Sequence, residues 1–191
     1  MTATPKQRKV DADLPAVSPR LFAHAVFATP NYEQMINWYS QVLNAHVVAG
    51  DPMLSFLTFD EEHHRLAFIN RPKLAARDAK HAGVDHLAYT LPDIGTLLNT
   101  YARLKKLGIL PVWPVNHGLT TSLYYQDPDG TRVELQVENF SSAEELRGWF
   151  KRPDFAANPI GVEFDPEELI ALYESGAPQS ELIRIGWPKP I

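Results

Sequence analysis

The chain has 191 residues, a formal net charge of -5 at pH 7 and hydrophobic side chains at 45% of its positions, enough for one domain or two small modules with a real core. The acidic balance disfavours nucleic acid as a partner, and no apolar run reaches the roughly 20 residues of a membrane span. Because the chain has no cysteine, disulfides and thiolate metal sites are excluded, and any metal must be bound by His, Asp or Glu.

The chain begins with MTATPKQRKVDADLP, which lacks the apolar core of a secretion signal. We expect a flexible leader over residues 1–19. We also expect the protein to be soluble and cytoplasmic.

Two segments match each other at an offset of 62 residues: HAVFATPN, which begins at His24, and HLAYTLPD, which begins at His86. Apolar residues then recur in both copies at spacings i, i+1, i+4 and i+7, the stripe of a helix that packs on a sheet. In the first copy this stripe consists of Met35, Ile36, Tyr39 and Val42. Asn31 and Asp93 suit the N-caps of the two helices.

Three extended segments follow each predicted helix. They span residues 45–50, 53–59 and 65–70 in the first copy, and 112–115, 122–126 and 132–137 in the second. A duplicated βαβββ unit explains this order. We therefore predict an α+β fold with a first module over residues 20–72, a linker over 73–83 and a second module over 84–140.

Two such modules, packed side by side, would form a curled mixed sheet around a shared cleft, with His24 near His86. Glu134 lies on the last strand of the second module, beside the first strand of that module. Its counterpart in the first module is Ala67 or Phe68, depending on a one-residue gap, and neither can bind a metal. Two histidines and one carboxylate are the ligand set of non-heme Fe(II) oxygenases.

The hairpin that carries Glu134 has the most specific pattern in the chain. His117 is followed by Leu123-Tyr124, the turn Asp127-Pro128-Asp129-Gly130 and Glu134. The segment EEHHRLAF, which contains His64, provides a second motif. These residues resemble the vicinal oxygen chelate superfamily and, within it, the small one-domain type I extradiol (ring-cleaving) catechol dioxygenases, including the dihydroxybiphenyl dioxygenases. The resemblance covers roughly residues 20–140.

The resemblance implies Fe(II), with Mn(II) as the alternative metal, bound in the cleft by His24, His86 and Glu134. It also implies that His117, His64 and Tyr124 surround a catecholic substrate and O2. His117 would then act as the acid, His64 as the base or charge stabiliser, and Tyr124 as a hydrogen-bond donor to the substrate. Because small paired-module proteins often associate, we expect a homo-oligomer.

The residues that line the substrate follow from strand alternation. If His64 points into the cleft, Leu66 and Phe68 should point there too and form an apolar floor for an aromatic ring.

Each of these assignments has a plainer alternative. Glu134 alternates with polar neighbours opposite Val133 and Leu135, the pattern of a solvated strand face. His64 could end a strand, His117 could cap a loop, and Tyr124 could be a core or rim aromatic. Two other functions stay open: a glyoxalase-like lyase or isomerase, which would draw a carboxylate from each half, and a non-catalytic module that binds a small molecule.

The tail over residues 141–191 should contain helices. A Ser-x-x-Glu capping box begins at Ser142, and Asp165-Pro166 is a second helix start. The sequence Gly186-Trp187-Pro188 provides an aromatic anchor. Since the tail has too little core to fold alone, we expect it to pack over the modules, where it could cover the cleft, contact a second subunit or have no functional effect.

Overall fold

The duplication in the sequence is a duplication in the computed structural model, which describes residues 13, 15–78 and 80–187. The rest of the predicted leader and Pro188 lie outside the described residues. The first module consists of β1 (Ala25–Thr29), α1 (Tyr32–Leu43), β2 (His46–Gly50), β3 (Leu54–Thr58) and β4 (Leu66–Asn70). The second consists of β5 (His86–Thr90), α2 (Ile94–Lys106), β6 (Trp113–Asn116), β7 (Thr120–Gln126) and β8 (Arg132–Glu138).

The strands form two mixed sheets, in the orders β1-β4-β3-β2 and β5-β8-β7-β6. Within each module the first and last strands are parallel, and the other pairs are antiparallel. The α+β class and both βαβββ modules are therefore confirmed, with one sheet for each module.

The strand register decides which residue of the first module corresponds to Glu134. On β5, Ala88 pairs with Glu134 of β8. The residue 62 positions before Ala88 is Val26, and Val26 pairs with Ala67 of β4. The counterpart of Glu134 is thus Ala67, and Phe68 is excluded.

The two helices follow their predicted stripes, but their N-caps differ. The side chain of Asp93 accepts a hydrogen bond from Thr96 N at 2.7 Å and caps α2. Asn31 occupies the same position before α1 but makes no capping bond. Its side-chain amide donates instead to Asp129 Oδ1 in the second module, at 2.8 Å.

One hydrophobic core joins the modules, since apolar side chains of α1, α2 and both sheets belong to a single buried cluster. The Tyr39 hydroxyl crosses this core and donates to Asp127 Oδ2 at 3.0 Å. Asp127 also accepts from the backbone nitrogens of Asp129 and Thr131, at 2.9 and 2.8 Å. Burial, followed by the Asp127 charge, raises the pKa of Tyr39, so the phenol stays a neutral donor. The Asp of the turn motif therefore ties the two modules together.

The tail packs on the second module. Its elements are α3 (Ala143–Trp149), α4 (Pro153–Ala157), β9 (Val162–Glu163), α5 (Pro166–Glu174) and α6 (Gln179–Leu182). The predicted caps form, because Ser142 and Asp165 accept hydrogen bonds from the first turns of α3 and α5. The two-residue strand β9, which the sequence did not reveal, pairs with β6. No helix in the described part of the chain is long and apolar enough to cross a membrane.

Candidate metal centre

Glu134 is buried on the polar face of β8, where its side chain is only 5% exposed. It projects on the same face as its register partners Ala88 and Tyr124. On the other face Val133 and Leu135 are buried in the core. At Glu134 the solvated-face alternative is therefore wrong.

His86 lies beside this carboxylate. Its Nε2 is 3.1 Å from Glu134 Oε2. Its other ring nitrogen, Nδ1, is 2.8 Å from Asp85 Oδ2. One terminal nitrogen of Arg132 bridges both Asp85 oxygens at 2.6 Å. The hydrogen bonds from Arg132 and then from His86 lower the pKa of Asp85, which therefore stays ionised.

His117 and Tyr124 form a second pair on this face. His117 Nε2 is 3.1 Å from the Tyr124 hydroxyl and 4.0 Å from Glu134 Oε1. Its Nδ1 contacts the carbonyl oxygen of Ile160 in the tail. Because a carbonyl only accepts, this nitrogen carries the hydrogen, which in a neutral ring leaves the Nε2 lone pair facing the site. Burial, followed by the Glu134 charge, raises the pKa of Tyr124, so its hydroxyl remains a donor.

The two candidate site histidines of the first module, His24 and His64, lie beside each other. His24 precedes β1, and its ring centroid lies 4.5 Å from that of His64. The ring of His64 also contacts Phe56, with centroids 4.9 Å apart. Burial, followed by the charges of His63 and His24, lowers the pKa of His64. Within the described residues no group of three or more His, Asp or Glu side chains is close enough to hold a metal. The structure thus pairs His86 with Glu134 and leaves His24 beside His64.

Leu66 and Phe68 do not form the expected floor of the cleft. They are 1% and 0% exposed and belong to the hydrophobic core. The Phe68 ring packs on those of Phe27 and Tyr39, with centroids 5.4 and 5.2 Å away. The alternation argument fails because β4 begins only at Leu66, so His64 lies outside the strand. Ala67, not Phe68, pairs with Phe56 and lies on the same face of the sheet. The phenylalanine ring that contacts His64 is therefore that of Phe56.

Besides Asp85, four groups near the site were not identified from the sequence: Trp113, Glu163, Arg132 and the Ile160 carbonyl. Trp113 packs against the Tyr124 ring at a centroid distance of 4.9 Å, and its indole nitrogen donates to Glu163 Oε1 at 2.9 Å. Arg132 lies over both rings. Asp85 precedes the ligand candidate in sequence and could have been noticed. The Ile160 carbonyl could not, since a backbone contact leaves no pattern in side-chain types.

The chemistry of the donor set fits a divalent metal. A buried carboxylate needs an opposing charge or strong hydrogen bonds. Among the described residues no Lys or Arg nitrogen lies within 4.0 Å of Glu134, and its ion-pair neighbours are His86 and His117. Imidazole and carboxylate are ligands that iron and manganese accept.

Comparisons with known proteins show which family the chain resembles. A family model described as the glyoxalase/bleomycin resistance protein/dioxygenase superfamily matches residues 21–135. Biphenyl-2,3-diol 1,2-dioxygenase 2 of Rhodococcus globerulus is 44% identical over 188 residues, which cover 98% of this chain and 91% of the relative. Biphenyl-2,3-diol 1,2-dioxygenase 3 of the same organism is 44% identical over 173 residues, which cover 90% of this chain and 90% of the relative.

A solved glyoxalase/dioxygenase structure from Nostoc punctiforme superposes with a TM-score of 0.56 at 16% identity, covering 68% of this chain and 99% of its own. At this identity the likeness shows the fold alone, whereas the two dioxygenases match almost the whole chain. The chain therefore belongs to the glyoxalase/bleomycin resistance protein/dioxygenase superfamily and, within it, to the extradiol dioxygenases.

Proposed function

We propose that the protein cleaves the aromatic ring of a catechol with O2 at a non-heme Fe(II) site. One observation carries this proposal: a buried Glu134 lies beside His86, on the face that also holds His117 and Tyr124. The chain is 44% identical to two enzymes named for biphenyl-2,3-diol. A catechol with a second aryl ring is therefore the first substrate to test.

The metal ligands we propose are His86 and Glu134 from the second module and His24 from the first. Bound Fe(II), with Mn(II) as the alternative, would hold the catechol and O2 side by side and transfer electrons between them. Together, two neutral imidazoles and one carboxylate leave a divalent metal with a net charge of +1, which suits a catechol that has lost one proton.

The proton-transfer group we propose is Nε2 of His117. The Ile160 carbonyl holds the hydrogen on Nδ1, so Nε2 can take a proton from the catechol and later return it to a substrate oxygen. Tyr124, kept neutral by burial and by Glu134, would donate a hydrogen bond to the substrate. His64, beside His24, would act as the base or charge stabiliser on the opposite side.

Specific observations disfavour the two alternatives. A glyoxalase-like enzyme that draws a carboxylate from each half would need one opposite Glu134, but Ala67 occupies the equivalent position. A non-catalytic binding module has no need of a buried carboxylate between two histidines.

The test is anaerobic reconstitution with Fe(II), followed by oxygen uptake with 2,3-dihydroxybiphenyl, 3-methylcatechol and catechol. We expect one O2 consumed per substrate and a yellow ring-opened product. Absence of uptake across the panel in iron-loaded protein would overturn the proposal. The homo-oligomer and the cytoplasmic location remain predictions, and light scattering tests the first.

A further inference from the structure

The carboxylate of Asp85 is bound on two sides. On one side it meets His86 Nδ1 at 2.8 Å, and on the other a single Arg132 nitrogen contacts both of its oxygens at 2.6 Å. The Arg132 guanidinium is itself held over the rings of Trp113 and Tyr124, 5.9 and 5.8 Å from their centroids. A chain of contacts therefore runs from the rings of Trp113 and Tyr124 through Arg132 and Asp85 to His86.

The first module lacks this chain, although it keeps the arginine. In the position of Asp85 it has Ala23, 62 residues earlier. Arg65, which precedes β4, donates to the carbonyl oxygens of Phe22 and Ala23 and to Asp60, not to a carboxylate beside His24. The Asp–His contact is thus a property of one module and not of the repeated fold.

The contact has a defined effect on the His86 ring. A carboxylate only accepts hydrogen bonds, and one lies on each side of the ring, Asp85 at Nδ1 and Glu134 at Nε2. When Nε2 gives its lone pair to a metal, the ring hydrogen stays on Nδ1 and is donated to Asp85. A hydrogen bond of this kind fixes the orientation of a ligating imidazole and raises its basicity. Because the Asp85 side chain is 63% exposed, water screens its charge, and orientation through the hydrogen bond is the larger effect.

We propose that Asp85, held by Arg132, is a positioning residue that fixes the tautomer and orientation of His86 as a metal ligand. This inference rests on the proposed function only in that His86 binds a metal. It adds a role for Asp85 and Arg132, which do not contact the substrate or the metal themselves. It also makes His86 the histidine whose orientation is fixed by a carboxylate, whereas His24 has no carboxylate partner among the described residues.

The test measures metal affinity, by chelator competition with Fe(II) and Co(II), in Asp85→Ala, Asp85→Asn and the control Asp60→Ala. Asp60 is a comparable exposed carboxylate bound to an arginine, in the first module. We expect Asp85→Ala to weaken metal binding about tenfold, the lower end of the usual range because the group is exposed. Asp85→Asn keeps an acceptor oxygen and should stay closer to the unmodified protein, and Asp60→Ala should leave affinity unchanged.

A second readout reports the hydrogen bond itself. In the Co(II) protein, the shifted NMR resonance of the His86 Nδ1–H proton should be visible, because this proton exchanges slowly with water. In Asp85→Ala the exchange should become faster or the resonance should disappear, while circular dichroism shows an intact fold. Unchanged affinity and an unchanged resonance in Asp85→Ala would overturn the positioning role. Failure of the unmodified protein to bind either metal would overturn this inference and the proposed function together. Metal binding without oxygen uptake would overturn only the proposed function.

Discussion

The two modules share one βαβββ order and one register, yet their equivalent faces differ in chemistry. In the second module this face carries Glu134 and Tyr124, and the corresponding residues of the first are Ala67 and Phe56. Both modules keep the histidine before or at the first strand and an arginine before or at the last, Arg65 and Arg132. Duplication thus supplies the scaffold, and substitutions in one copy supply the reactive groups.

The tail strengthens the contrast. Strand β9 pairs with the free edge of β6, and Ile160, two residues before β9, contacts His117. The equivalent strand in the first module is β2, whose residues are all exposed and which pairs only with β3 among the described strands. The tail therefore packs on the second module and places the Ile160 carbonyl beside His117.

The largest effect should come from removing the carboxylate that distinguishes the modules. We expect Glu134→Ala to abolish iron retention and turnover, because the buried negative charge is the group that compensates the metal. Glu138→Ala is the matched control, since this residue lies on the same face of β8 but is exposed. Iron analysis after gel filtration measures both, and equal retention in the two variants would contradict the assignment.

A smaller loss should follow from His117→Ala. The variant should keep its iron and lose about 10² to 10⁴ in kcat, the usual contribution of a positioned acid or base. Iron content and steady-state oxygen uptake separate the two effects. Loss of iron together with activity would make His117 a ligand instead.

Displacing the tail should slow turnover less than removing the histidine. Gly161 has φ +108°, and an added Cβ would lie 2.3 Å from Asn116 O, so Gly161→Ala should push β9 from β6 and weaken the Ile160–His117 contact. Gly176, with φ +78° and open space around it, is the control. Gly176→Ala should cost about 1–2 kcal/mol of stability through strain alone and leave kcat unchanged. Equal kcat values in the two variants would show that the contact between the tail and His117 does not affect catalysis.

The smallest expected effect concerns the contact between modules. Tyr39→Phe removes the hydrogen bond to buried Asp127 and should cost about 1–3 kcal/mol in urea unfolding. Tyr125→Phe should be neutral or stabilising, because the Tyr125 hydroxyl is buried without a partner among the described residues.

Tyr39→Phe should also change how stability depends on pH. The pKa of Tyr39 is raised in the folded state, so its contribution to stability is present below its ordinary pKa of about 10 and is lost as the pH rises above that value. Tyr39→Phe should reduce this alkaline loss. An unchanged profile between pH 8 and 11 would contradict the raised pKa of Tyr39, which burial and then the Asp127 charge cause.

Most of the helices and strands were readable from sequence because each depends on local pattern, and the same patterns nominated the candidate site residues. Apolar spacing located α1 and α2, and turn chemistry located the hairpin with Glu134. The choice between Ala67 and Phe68 was not readable, since it depends on register, and Leu66 and Phe68 were misplaced by counting alternation through a loop. The Ile160 carbonyl could not be predicted, because its position beside His117 depends on the two-residue strand β9 that follows it.

Centrally, we propose that one metal is bound by His86 and Glu134 of the second module, which already lie side by side, and by His24 of the first module. Anomalous diffraction at the iron edge from crystals of the reconstituted protein tests it most directly. We expect a single iron contacted by His24, His86 and Glu134. An iron bound elsewhere, or bound by His86 and Glu134 with His24 still beside His64, would contradict it.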